Sequence, residues 1–161
     1  MLNHFLQYSF GPARLHELKG LNLVELMATH GPSLVGVRQD ADGLDFDHLE
    51  ATLARLRGEG RRVKFLYTVP NFQNPTGMIV SLAKRRQLVE WATRRDVLIL
   101  EDDPYRDLYF EDVTSEAETR PIAADDPSGR VIYVSSFSKT LAPGLRVGWI
   151  AADAALATRF E

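Results

Sequence analysis

Apolar positions in this chain fall into short β-rich runs separated by stretches with helical spacing. Leu34 to Val37, Val63 to Thr68, Val97 to Leu100, Arg130 to Val134 and Arg146 to Ile150 each read as a strand, because a brief apolar run bounded by turn residues favours an extended, half-buried or buried segment. Val97 to Leu100 reads as buried on both faces. Between them, Leu49, Leu53 and Leu56 make an apolar stripe behind a capping carboxylate at Asp45 or Asp47, and Gly58 and Gly60 stop that helix. Ser81 starts a second helix to about Arg95, with Leu82, Leu88, Val89 and Ala92 inward and Arg and Glu outward. Leu21 to Ala28 reads as a short helix ended by Gly31-Pro32, and Ala151 onward as the start of another. Strand, helix and strand at this spacing predict right-handed crossovers and parallel pairing. Residues 111 to 129 are polar and acidic and read as a surface excursion.

Composition narrows the picture without deciding it. The chain has 161 residues, 45% of them hydrophobic and 25% charged, enough for one domain with a core. A net charge of -3 with no basic block argues against nucleic acid as a partner of this segment. Without cysteine there is no disulfide, thiol or thiolate-metal chemistry, and His4, His16 and His30 are scattered without ligand spacing, so no metal site is expected. No run reaches membrane-spanning length, and Met1 to Gly11 lacks the layout of a signal peptide. The expected location is the cytoplasm. Lysine is scarce, with only Lys19, Lys64, Lys84 and Lys139.

The chemistry gathers beyond three strand ends, which is where open α/β sheets build their sites. Val69 to Gly77 is a proline-braced loop offering the Asn74 amide. Glu101-Asp102-Asp103-Pro104-Tyr105 offers a carboxylate at Asp102 and a phenol at Tyr105. Ser135-Ser136-Phe137-Ser138-Lys139 continues through Pro143-Gly144 to Arg146, placing an ammonium and a guanidinium among hydroxyls suited to a phosphate dianion. An ammonium in an apolar, cationic pocket can act as a nucleophile toward a carbonyl, and a carboxylate can keep a heteroaromatic nitrogen protonated. Together these are the parts needed to hold pyridoxal phosphate. Taken singly, each has a plainer reading: a basic surface loop, an Asp102 cap on the next turn, a Tyr105 at the core rim, and Asn74 as a turn residue.

Asn71-Phe72-Gln73-Asn74-Pro75-Thr76-Gly77, Glu101 to Tyr105, Ser135 to Lys139 and Pro143-Gly144-Leu145-Arg146-Val147-Gly148, in that order, resemble the class I/II aminotransferases of the fold-type-I pyridoxal-phosphate enzymes. Asp40 to Leu44 resembles their usual turn. The nearest subgroup holds 2-aminoadipate and aromatic aminotransferases and the aminotransferase-like domain of GntR-type regulators. The resemblance spans about residues 34 to 155. It implies an α/β three-layer sandwich with a mostly parallel sheet, the whole chain (1–161) being part of the family's large domain, with the 146–150 strand antiparallel and Asn74, Asp102 and Lys139 at one sheet edge. It implies Lys139 as the Schiff-base lysine and proton carrier, Asp102 on the pyridine nitrogen, and Tyr105 and Asn74 on the ring hydroxyl. Ser136, Ser138 and Arg146 would hold the phosphate, and Asn74 would also touch the substrate carboxylate.

What the resemblance implies for function is transfer of an amino group between an amino acid and a 2-oxo acid, by an enzyme that is usually a homodimer. A cofactor-sensing regulatory domain would keep the same residues while catalysing little, and an inactive remnant is a third possibility. Family members are considerably longer. Their upstream glycine-rich loop, their ring-stacking aromatic residue and their downstream carboxylate-clamping arginine have no counterpart here, so weak cofactor binding and slow turnover are expected of residues 1 to 161 alone.

Overall fold

The computed structural model describes residues 3–7, 33–112 and 114–158. The helix expected at Leu21 to Ala28 lies outside them, as do His16 and His30. Six strands form one sheet: β1 (Asn3–Gln7), β2 (Ser33–Val37), β3 (Phe65–Thr68), β4 (Leu98–Asp102), β5 (Val131–Ser136) and β6 (Gly148–Ala151), in the order β2-β1-β3-β4-β5-β6. Among the described residues the α-helices are α1 (Phe46–Gly58), α2 (Leu82–Arg95) and α3 (Ala154–Ala157). Pairing is parallel for β3 with β4 and β4 with β5, and antiparallel where β1 meets β2 and β3 and where β6 meets β5. Four of the six strands, β2 to β5, therefore run in one direction. Among the described residues no helix is long and apolar enough to cross a membrane.

The local signals explain most boundaries. Of the two candidate caps for α1, Asp45 is the one used, its side chain accepting from the His48 backbone N–H. Ser81 caps α2 by accepting from Lys84 N–H, and Asp96, in the left-handed region at φ 54°, ends it. The unforeseen element is β1, to which the sequence reading assigned nothing. It lies between β2 and β3, a pairing of residues about 30 and 60 positions apart that no local pattern announces. Two strands run further than expected: β4 includes Glu101 and Asp102, and β5 includes Ser135 and Ser136. The last strand starts later, at Gly148, because Pro143–Leu145 forms a 3-10 turn and Arg146 is left-handed at φ 53°.

Register sorts the side chains. Leu66 pairs with Ile99 and Ile99 with Val131, so the three share one face, and they pack with Leu49, Leu53 and Leu56 of α1 and Leu88, Val89, Trp91 and Ala92 of α2. Both long helices thus cover this face. Tyr67, Leu100 and Asp102 point to the other. This corrects the expectation that the β4 run is buried on both sides: Ile99 is fully buried while Leu98 and Leu100 are only half-buried, because the helical layer among the described residues reaches one face.

A second correction concerns α2. Its arginines were expected outward, yet Arg85 is only 4% exposed. Its guanidinium donates to the carbonyls of Val80 (2.8 Å), Arg120 (2.7 Å) and Pro70 (3.1 Å) and to Asn71 Oδ1 (2.7 Å). Asn71 Nδ2 in turn donates to Asp103 Oδ1 (2.9 Å) and to the Thr119 carbonyl (3.0 Å). Glu101, fully buried, accepts from the backbone N–H groups of Ile122 (2.8 Å) and Ala123 (2.9 Å) at the 3-10 turn Ile122–Asp125. The polar excursion is therefore docked at one end by buried hydrogen bonds. Burial pushes Glu101 up to about 7 against those two donors and Asp103 up to about 6 against Asn71 and Arg85, and it lowers Arg85.

Two outcomes follow from this packing. Leu53→Ala or Leu88→Ala is expected to lower the unfolding free energy by about 2–5 kcal/mol in urea titrations, whereas Leu141→Ala, at 69% exposed, changes it by less than about 0.5 kcal/mol. For Glu101 the folded state holds a proton that the unfolded chain has already released near pH 6. Its contribution is complete below the ordinary carboxylate range and is lost as pH rises through about 7. Urea midpoints measured at pH 5.5 and 7.5 should therefore fall with pH in the native sequence and fall less in Glu101→Gln.

Candidate active site

Asp102 is the last residue of β4, so a rigid strand rather than a loop positions it. Its carboxylate projects from the face opposite the helical layer, where the Tyr67 hydroxyl of β3 donates to Oδ2 at 2.6 Å. Burial raises the Asp102 carboxyl and the Tyr67 bond lowers it, while burial and the adjacent Asp102 charge push the Tyr67 phenol far above the ordinary tyrosine range. Oδ1 of Asp102 accepts no hydrogen bond among the described residues.

Three residues on, Tyr105 lies half-buried in the turn that leaves β4. The Lys139 ammonium stands 6.0 Å from the centre of its ring, within cation–π range. The two loops meet because their strands are laced together at the ends: Asp103 N–H donates to the Val134 carbonyl (2.9 Å) and the Ser135 hydroxyl to the Asp103 carbonyl (2.8 Å). Lys139 itself is exposed.

The segment around Lys139 is a compact turn. Leu141 and Ala142 N–H groups both donate to the Phe137 carbonyl, Phe137 N–H donates to the Val147 carbonyl, and Ser138 N–H reaches Ser136 Oγ at 3.4 Å. Phe137 packs on Trp149 with ring centres 4.9 Å apart. Gly148, opposite Ser136, permits this closeness: a Cβ there would sit 2.8 Å from the Ser135 carbonyl oxygen. Ser136 falls on the same face as Asp102, since Asp102 pairs with Val134 and Ser136 is two positions further. Arg146, exposed and left-handed, follows the Pro143–Leu145 turn.

Asn74 lies in the exposed part of its loop, before the cis peptide to Pro75. Hydrogen bonds from Gln73 N–H to the Met78 carbonyl (3.0 Å) and from Thr76 Oγ1 to the Gln73 carbonyl (3.1 Å) hold that loop. The structure thus brings Asp102 to Tyr67 and Tyr105 to Lys139. It shows no hydrogen bond or ion pair linking Asn74 or Arg146 to these four among the described residues. Four contributors escaped the sequence reading. Tyr67 needs the β3–β4 register, and Arg85, Asn71 and Ser135 act through partners distant in sequence. Asn71 and Ser135 carried a signal, each as the first residue of a quoted motif, Asn71 to Gly77 and Ser135 to Lys139.

The sequence pattern described as aminotransferase class I and II matches residues 25–161. Aromatic-amino-acid aminotransferase 1 of Thermococcus litoralis is 45% identical over 122 residues, covering 76% of this chain and 28% of that protein. An HTH-type transcriptional regulator of Bacillus subtilis, YisV, is 34% identical over 131 residues, covering 81% and 25%. The crystal structure of Pyrococcus horikoshii kynurenine aminotransferase superposes with a TM-score of 0.75 at 37% identity, covering 84% of this chain and 33% of that one. The chain spans a quarter to a third of the length of these relatives. With a match over residues 25–161 and relatives of this kind in both sequence and structure, the chain belongs to the class I and II aminotransferase family.

Proposed function

We propose that this chain carries the cofactor-bearing face of a pyridoxal-phosphate-dependent aminotransferase, which moves an amino group between an amino acid and a 2-oxo acid. The observation that carries the reading is the Lys139 ammonium over the Tyr105 ring, three residues beyond Asp102 at the same end of the parallel strands. A homodimeric, cytoplasmic enzyme belongs to the same reading.

The donor set fits the group. Asp102 offers an oxygen that accepts no described hydrogen bond and so is free to meet a ring N–H. Lys139 and Arg146 are exposed cations flanking the Ser136 and Ser138 hydroxyls, a combination suited to a phosphate dianion. When bound, pyridoxal phosphate supplies an aldehyde that joins amines and a protonated ring that draws electrons from the substrate α-carbon. The protein's part is to place charge and move a proton. Asp102 holds the proton at the ring nitrogen, Tyr105 and Asn74 bind the ring oxygen, and Ser136, Ser138 and Arg146 hold the phosphate. Asn74 also binds the substrate carboxylate. Lys139 Nζ, as the neutral amine, would take the proton from the α-carbon and, as the ammonium so formed, deliver it to the carbon that receives the amino group, a role that contributes about 10²–10⁴-fold in rate. A second reading, a cofactor-sensing regulatory domain, is favoured by the similarity to the Bacillus subtilis regulator.

The test is to incubate the chain with pyridoxal phosphate, reduce with borohydride and map the label. Modification confined to Lys139 and absent from Lys139→Ala is the expected result, its extent limited by the weak binding expected of residues 1 to 161 alone. Label spread equally over Lys19, Lys64 and Lys84 would overturn it. On the same preparation, amino transfer to 2-oxoglutarate that falls at least about 100-fold in Lys139→Ala marks the enzyme, and specific labelling without transfer marks the regulatory reading.

A further inference from the structure

Two side chains on the open face of the sheet meet closely although neither strand's local sequence relates them. Tyr67 pairs in register with Leu100, and Asp102 lies two residues further along β4. A long side chain reaches such a diagonal neighbour across adjacent strands. The phenol spans that gap, ending 2.6 Å from Asp102 Oδ2. We propose that Tyr67 is a positioning residue for Asp102: its hydroxyl fixes one carboxylate oxygen so that the other is presented outward to the ring nitrogen of a bound pyridine cofactor. The inference rests on the pyridoxal-phosphate reading above, and adds to it a residue that does not itself touch the reacting atoms.

The direction of the bond matters as much as its length. A phenol donates only while protonated, and burial beside Asp102 keeps Tyr67 protonated throughout the ordinary pH range. Tyr67 is therefore a permanent donor and Asp102 a permanent acceptor. Burial alone drives a carboxyl toward its neutral form, and a neutral Asp102 would carry a proton where it must accept one. The Tyr67 bond opposes that drift. Among the side chains described on this face the titratable neighbours are Tyr105, which acts electrostatically on Tyr67, and Lys139 above the Tyr105 ring, while His4 of β1 stands in register with Tyr67. Arg85, Glu101 and Asp103 belong to the buried network on the helical side.

The bond also fixes geometry. A carboxylate at a strand end turns about its last torsion, whose preference is broad. One short charge-assisted bond selects the rotation in which Oδ2 faces β3, leaving Oδ1 on the open side. A phenylalanine at 67 would keep the ring and its packing and remove only this selection.

The experiment has two arms, the first independent of cofactor. Carboxyl ¹³C titration of the labelled chain without cofactor, native and Tyr67→Phe, follows Asp102 directly. Its midpoint should rise by about one pH unit when the hydroxyl is lost, and an unchanged midpoint overturns the proposal even if Lys139 labels as expected. In the second arm, cofactor retention is measured by equilibrium dialysis with pyridoxal phosphate. Tyr67→Phe should weaken it about tenfold in the native background and by less than about twofold in Asp102→Ala, since one residue acts through the other. Equal weakening in both backgrounds overturns the proposal. If the cofactor labels Lys139 no more than the other lysines, the function proposed above fails, while the titration still decides whether Tyr67 governs Asp102.

Discussion

The structure depends on one buried guanidinium. Arg85 leaves a helix facing the core and spends its donors on three backbone carbonyls and one amide, none of them a carboxylate. Those acceptors belong to the loop that leaves β3 and to the far end of the polar excursion. A loop carbonyl taken from water must be satisfied, and here a single rigid fork satisfies several at once. Asn71 extends the knot to Asp103, and hence to the end of β4. Charge balance follows the same route, with Glu101 and Asp103 close enough to favour the Arg85 cation electrostatically although neither forms a contact ion pair with it. Removing Arg85 would take a favourable charge from beside both acids and the donors from the Val80 and Arg120 carbonyls and Asn71 Oδ1, while the Pro70 carbonyl would keep the Val80 N–H, a loss of the strongly destabilising kind.

The site inherits its order from this knot. Asp102 sits on a strand pinned by backbone pairing on both sides, and Tyr105 comes two residues after Asp103, which is anchored through both its side chain and its main chain. The Lys139 turn is held by a different device: tight approach of β6 to β5 at Gly148, with Phe137 packed on Trp149. Lys139 and Arg146 are exposed beyond that rigid base. Fixed strand ends beneath exposed cationic side chains suit a ligand that brings its own charge, since such side chains give up rotamer freedom for an anion that supplies a partner.

How much of this was legible in the sequence depended on the range of the cause. Caps at Asp45 and Ser81 act over three residues, and the chain announced them. Strand runs and the motifs beyond them are also local, so the strand-end residues and the family resemblance came through. β1 was invisible because its partners lie far along the chain and its own five residues carry no alternation worth reading. Arg85 read as one more basic residue in a Lys-Arg-Arg run, because what buries it are carbonyls 5 to 35 residues away. The role of Tyr67 required register.

Glu101, Asp102 and Asp103 show what the pleat adds to composition. Three consecutive carboxyls would read as an acidic surface patch if they were in a loop, yet here a strand and its continuation throw them alternately to opposite sides. Glu101 goes to the helical side and satisfies two backbone donors of the 3-10 turn. Asp103 returns to that side and takes the Asn71 amide. Asp102, between them, faces the open side with only Tyr67 on one oxygen. All three are raised by burial, but the first two are enclosed by groups that hold the fold together, while the third keeps an acceptor uncommitted. A shift of register by one residue would exchange these positions and bury the uncommitted oxygen under α2. The network that fixes the end of β4 is therefore also what decides which of three like carboxyls is available for chemistry.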